Sequence, residues 1–300
     1  MMASPRSAPA LLFASLRPEQ WTKNLFVFAG LLFGHRLTHP DSVRVAAETF
    51  GVFCALSGTV YLFNDIADRH SDRSHPVKRL RPIASGSLSV PIAAGAGVAL
   101  GLSATAAAFA IGLSLGVTAL LYLGLLLLYS TSLKHVVIVD VLCIAAGFVL
   151  RTVGGSVAIG VPVSNWLVIC TTLLALFLAL AKRRHEIVSL ADGAVSHRRI
   201  LGEYSPYFVD QMVSVVTASS LVAYALYTIS PDTTARAGTD RLPLTIPFVL
   251  YGIFRYLYLV HQKQGGGNPS TLVLTDRPLL ACIALWALTA GLLLYTPLGH

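Results

Sequence analysis

Continuous apolar runs of about 20 residues dominate the chain, the length an α-helix needs to cross ~30 Å of hydrocarbon. Nine can be drawn, with approximate limits 20–35, 43–64, 91–112, 114–130, 136–160, 164–181, 208–230, 242–261 and 278–297. Their continuity excludes an outer-membrane barrel, whose strands alternate in polarity. Composition agrees. Only 12% of the 300 residues are charged, 55% are hydrophobic, and mean hydropathy is +0.69. Soluble domains carry roughly 25% charged residues, so neither a water-facing surface nor intrinsic disorder fits. The expected fold is all-α: a polytopic membrane protein, with one transmembrane catalytic domain over residues 1–300.

The net charge of +8 is first a topology signal. The connections after the second, fourth, sixth and eighth runs hold most of the cations. With the N-terminus inside, sixteen of the 22 Lys and Arg fall on the inner side. Arg36, Arg44, Arg236 and Arg241 fall outside, and Arg151 and Arg255 lie within runs. Cytoplasmic segments carry the Lys/Arg excess in membrane proteins. This predicts nine crossings, a cytoplasmic N-terminal segment over 1–19, cytoplasmic loops over 65–90 and 182–207, and an outside C-terminus. No nucleic-acid partner is expected. Cys54, Cys143, Cys170 and Cys282 stand singly in apolar segments, which supports neither a zinc site nor a disulfide framework. Residues Met1 to Arg17 show no clear signal-peptide pattern.

The end of the second run carries the most chemistry. Asn64, Asp68 and Asp72 are spaced i, i+4, i+8, with Asp65 alongside. On a helix they form one stripe, drifting about 40° per step. Carboxylates packed this closely repel unless a cation sits among them. Oxygen-only ligands favour a hard ion, and Mg²⁺ shared with substrate phosphates is the natural choice. The next loop places Lys78, Arg79 and Arg81 within four residues. Beside a metal site, such a loop suits a polyphosphate substrate.

The Asn64–Asp72 motif, NDxxDxxxD, together with KRxRPIASG over Lys78–Gly86, resembles the UbiA superfamily of intramembrane prenyltransferases. The resemblance implies nine transmembrane helices around a central cavity, a cytoplasmic cap over the metal site, and a lateral opening for a lipid chain. It also implies a bacterial inner-membrane location. Further segments are similar to the branch of that superfamily that transfers phosphoribosyl groups: Arg17–Asn24, Tyr129–Lys134, Gly147–Arg151, Ala181–Glu186 and Thr275–Pro278. That likeness covers essentially the whole chain. It implies Mg-dependent transfer of 5-phosphoribosyl from phosphoribosyl pyrophosphate to a polyprenyl phosphate, here a decaprenyl phosphate, towards a cell-wall arabinan precursor.

One departure from the superfamily pattern matters. Its prenyltransferases usually carry a second DxxxD motif after span six, where this chain has Lys182-Arg-Arg-His-Glu186. Lys182 is expected to face phosphate, while Glu186 either binds metal or orients Lys182 at i, i+4. Arg183 and Arg184 read equally as phosphate contacts or as positive-inside anchors. Asp65, Asp68, Asp72, Lys182 and Glu186 are expected to serve catalysis. Asn64, Asp68 and Asp72 hold Mg²⁺. Lys23, Asn64, Lys78, Arg79, Arg81, Tyr129, Lys134, Lys182, Arg183 and Asp276 contact substrate. No Ser/His/Asp or Cys/His constellation is evident, which agrees with an acceptor phosphate that is already ionised.

Charges inside the runs cost about 2.5–3.5 kcal/mol each on insertion scales, so each should face a cavity or a partner. Asp140 and Arg151 share a face of the fifth run about 16 Å apart, too far to pair. Asp140 is expected to meet Lys134 or substrate hydroxyls, and Arg151 a structural partner. Arg255 is expected in a polar network with Tyr251, Tyr256 and Tyr258. His35, His39 and His300 are expected outside, without a chemical role. Two other readings remain. Prenyl transfer from a prenyl diphosphate to an aromatic or other small acceptor uses the same fold. A transporter would carry polar residues to the far side, whereas here the chemistry gathers at one end. Self-association is left open by the sequence.

Overall fold

The structure is a computed structural model that describes residues 7–190, 199–263 and 269–296. Among the described residues, eight helices are long and apolar enough to cross a membrane. They are α1 (Pro40–Ala67), α2 (Val90–Ile111), α3 (Leu113–Thr131), α4 (Val139–Ala158), α5 (Asn165–Leu190), α6 (Pro206–Ile229), α7 (Ile246–Gln262) and α8 (Arg277–Tyr295). No strand occurs among the described residues. Proline opens α1 and α6 and stands within the first two positions of α2, α7 and α8. Its missing N–H costs nothing there. The Ser205 and Asp276 side chains accept from the backbone N–H groups of Phe208 and Leu279, at 3.1 and 2.9 Å. Each satisfies one of the orphan donors of a helix start.

The first expected run, 20–35, is not a long α-helix. It is a 3₁₀-helix over Pro18–Phe28 followed by a short α-helix over Ala29–Phe33. At ~2.0 and ~1.5 Å rise per residue this stretch still reaches about 30 Å. Glycine lets it lie directly on α4. A Cβ at Gly155 would stand 1.9 Å from the Val27 carbonyl oxygen, and one at Gly30 would stand 2.4 Å from Ser156 Oγ. Small residues permit this approach where lipid supplies no hydrophobic drive between helices.

Consecutive helices pack side by side from α1 to α8, and the 18–33 segment lies against α1 and α4. Tyr295 at the end of α8 donates to the Leu32 carbonyl at 2.7 Å, and Trp286 of α8 meets Phe33. The last helix therefore returns to the first segment. The windows of α1 and α4 are 61% and 56% buried, against 28–33% for the other six. These two form the inside of the bundle, and the six leave large apolar faces for lipid. Phe53, Leu56, Ala119 and Tyr122 pack one inner cluster, and Phe177, Val209, Tyr256 and Leu259 another.

Two boundaries differ from the sequence expectation. Helix α5 continues to Leu190, so Lys182, Arg183 and Glu186 are helical rather than part of a loop starting at 182. Residues 191–198 of that expected loop lie outside the described residues, as do residues 1–6 of the 1–19 segment and His300. Helix α1 ends at Ala67, with Asp68 at the break before a short helix over Arg69–Arg73.

Candidate active site

The acidic stripe survives the break at Asp68. The Asp68 N–H donates to the Asn64 carbonyl and the Asp72 N–H to the Asp68 carbonyl, both at 2.8 Å. The i, i+4, i+8 spacing therefore still places Asn64, Asp68 and Asp72 on successive turns. Asp65 and Asp72 are buried, and Asn64 and Asp68 are half-buried.

Each carboxylate meets a cation brought from elsewhere in the chain. Arg81 Nη1 lies 2.6 Å from Asp72 Oδ2 and 3.1 Å from Asp65 Oδ1. Arg17 also donates to Asp65 and stacks over the Tyr61 ring, 4.8 Å from its centroid. Lys134 reaches Asp68 at 3.2 Å. The loop is folded back by backbone contacts: Arg73 Nε donates to the Ala84 carbonyl at 3.0 Å, while Ile83, Ala84 and Leu88 are buried. Lys78 is half-buried and Arg79 exposed on this loop, and Tyr129 is half-buried at the end of α3.

A second cluster lies on α4 and α5. Arg183 donates to Asp140 at 2.5 Å and to Glu186 at 2.6 Å, and Lys182 Nζ stands 3.7 Å from Glu186 Oε1. Lys182 and Glu186 are thus neighbours at i, i+4 on α5. Asp140 does not meet Lys134, one of its two expected partners, which lies on Asp68 instead. Its partners are Arg183 and Tyr204, whose Oη donates to Asp140 Oδ1 at 2.7 Å. Burial, and then the Asp140 carboxylate beside it, push the Tyr204 hydroxyl up to about 12, so it keeps its proton at neutral pH. Lys23 sits near three other cations, Lys182, Arg151 and Arg17.

Arg151 and Arg255, the two cations within the expected runs, each have polar partners. Arg151 has the expected structural partners: Nε donates to Asn24 at 2.6 Å, Nη1 to the Gly147 carbonyl at 2.9 Å and Nη2 to Tyr122 at 2.5 Å. Of the tyrosines expected around Arg255, Tyr258 lies under its guanidinium, but the guanidinium's two hydrogen bonds go to Asp276, at 2.8 and 3.2 Å. The buried Tyr256 hydroxyl has no partner among the described residues. The Arg255 hydrogen bonds hold the Asp276 carboxyl below its ordinary value, helped by the Leu279 N–H. Nothing in the sequence foretells the contacts made by Arg17, Asp140 and Tyr204. Their partners lie 48, 43 and 64 residues away, and no local spacing announces them.

No three His, Cys, Asp or Glu side chains converge as a cage among the described residues. Two carboxylates and an amide, all oxygen donors one turn apart, instead suit Mg²⁺, which keeps several waters and substrate oxygens. The residues fit an ion shared with a phosphate ligand rather than one enclosed by protein.

Together these features define a helical membrane protein with a charged site at one end of its bundle, acidic on α1 and cationic around it. The chain belongs to the UbiA prenyltransferase family, whose profile matches residues 24–275. It is 28% identical to a decaprenyl-phosphate phosphoribosyltransferase of Mycolicibacterium smegmatis, covering 97% of this chain and 94% of that one. It is 30% identical to the protein of the same name in Corynebacterium glutamicum, covering 97% and 89%. Among solved structures it is similar to a UbiA homolog from Archaeoglobus fulgidus bound to GPP and Mg²⁺, with a TM-score of 0.72, 18% identity, and 94% and 98% of the two chains covered. That likeness establishes the fold.

Proposed function

We propose that the protein transfers a 5-phosphoribosyl group from phosphoribosyl pyrophosphate to a polyprenyl phosphate, such as decaprenyl phosphate, on the way to a cell-wall arabinan precursor. The near-full-length likeness to two decaprenyl-phosphate phosphoribosyltransferases carries this reading. A cation at position 182, where a second acidic motif would favour prenyl transfer, is in keeping with it.

The reaction needs little from the protein beyond binding, orientation and charge. A phosphate oxygen of the acceptor attacks C1 of the ribose, the C1–O bond to pyrophosphate breaks, and pyrophosphate leaves with the bonding pair. The acceptor oxygen is ionised at neutral pH, so no general base is required. Asn64, Asp68 and Asp72 would hold Mg²⁺, with Asp65 keeping Arg17 and Arg81 in place. When bound, the ion supplies charge neutralisation on the departing pyrophosphate. Lys23, Lys78, Arg81, Lys134 and Lys182 hold phosphate groups, with Arg79 and Tyr129 at the rim. Fixing these donors before reaction is the main electrostatic contribution. The catalytic unit takes the 18–33 segment as a first crossing ahead of the eight helices, with the site and the N-terminus on the cytoplasmic side of a bacterial inner membrane. The acceptor's tail lies between helices.

Purified protein in nanodiscs, given Mg²⁺, labelled phosphoribosyl pyrophosphate and decaprenyl phosphate, is expected to move label into the lipid fraction. Unlabelled lipid, with turnover instead of a prenyl diphosphate and an aromatic acid, would overturn the proposal.

A further inference from the structure

We infer that Asp140 and Tyr204 are positioning residues for the pair Lys182 and Glu186, acting through the buried guanidinium of Arg183. This rests on the proposed role of Lys182 in holding donor phosphate. The four charges alternate in sign along one path of contacts. Exposure of the side chains rises along it, from 0% at Asp140 and 3% at Arg183 to 26% at Glu186 and 45% at Lys182. The path therefore runs from the inside of the bundle to an accessible ammonium group.

Each link is fixed by the one behind it. Arg183 spends Nη2 on Asp140 and Nη1 on Glu186 Oε2. Glu186 Oε1 is then left facing Lys182 Nζ. On a helix Glu186 has other rotamers open to it, and the guanidinium selects the one that meets Lys182. Asp140 is fixed in turn by Tyr204, whose Oη donates to Asp140 and accepts from the Ile138 N–H at 2.7 Å. Ile138 has φ 70°, a positive value that a β-branched side chain disfavours. The Tyr204 bond holds that turn two residues before Asp140. A buried ion pair is a weak source of stability, because desolvation offsets its Coulombic gain. Its better-supported use here is geometric: it sets where the accessible charges stand.

Asp140→Asn keeps the size of the side chain and its bond to Tyr204 while removing one of Arg183's two counter-charges. The KM for phosphoribosyl pyrophosphate is expected to rise about tenfold, with kcat changed by less than about twofold. In Asp140→Asn/Lys182→Met the KM is expected to match that of Lys182→Met alone. Tyr204→Phe should act in the same direction by about threefold and show the same non-additivity with Lys182→Met. It closes the cycle if Asp140→Asn does not fold. Affinity for magnesium pyrophosphate, measured by calorimetry, provides the same cycle without turnover, so the inference is judged even if phosphoribosyl transfer itself is not observed. Additive losses with Lys182→Met, or lost folded protein with KM and pyrophosphate affinity unchanged in what remains, would overturn it.

Discussion

Arg81 and Asp72, nine residues apart, meet at 2.6 Å, and the same nitrogen of Arg81 reaches Asp65 at 3.1 Å. The cationic loop and the acidic stripe are therefore one folded unit. The loop cannot move without releasing two buried carboxylates.

Arg81→Met should lower stability by about 1–2 kcal/mol, the range for hydrogen bonds to charged groups, discounted because the arginine is partly exposed. Asp65 retains Arg17, so most of the loss falls on Asp72. Arg81→Lys should recover only part, since a single ammonium lacks the fork that guanidinium offers. Thermal unfolding in detergent checks this. An unchanged midpoint in Arg81→Met would show the pairing to be energetically idle.

Asp68→Asn and Asp72→Asn should each cut turnover by about 100-fold or more, the scale seen when one charge-stabilising group is removed. Folded yield should hold, because the amide is nearly the same size. The Mg²⁺ concentration needed for half-maximal rate should rise in both variants. Near-normal turnover in either would remove the metal assignment.

The sequence showed those features that repeat locally. Apolar run length located the eight long helices, and i, i+4, i+8 spacing located Asn64, Asp68 and Asp72. The features it hid are contacts across helices. Asp140 finds Arg183 on the neighbouring helix, and Asp65 finds Arg17 in a segment before the first crossing. Neither pairing leaves a periodic trace. The extension of α5 to Leu190 was hidden for a different reason. Hydropathy falls at Lys182, but i, i+3 and i, i+4 ion pairs among Lys182, Arg183 and Glu186 support helix beyond the apolar stretch.

Arg151 tests how the bundle tolerates charge. It is buried between Asn24, Tyr122 and the Gly147 carbonyl, and its guanidinium also stacks over the Tyr122 and Phe148 rings. Asn24 in turn donates to Ser57 at 3.3 Å, so the network ties the first segment to α1, α3 and α4. Asn24→Leu should cost about 3 kcal/mol, because it strips a buried charge of a partner without removing the charge. Arg151→Met should cost less. Folded yield and unfolding midpoints in detergent give the order, and a milder effect for Asn24→Leu would contradict it.

The Arg255–Asp276 pair gives a pH prediction whose sign follows from the direction of the shift. The Arg255 hydrogen bonds hold the Asp276 carboxyl below its ordinary value of 3.8. A carboxylate with a lowered folded-state value stabilises the fold above its unfolded value, and that contribution disappears as pH falls through the folded one. Asp276→Asn removes the charge yet keeps an acceptor for the Leu279 N–H, and Asn is itself a good helix cap. The wild type should therefore melt above Asp276→Asn at pH 7, and the gap should close as pH drops below about 4. Moderate salt should narrow it at pH 7 as well, since the pair is partly open to solvent. A gap that persists unchanged into acid would assign the effect to the cap alone and leave the ion pair without weight.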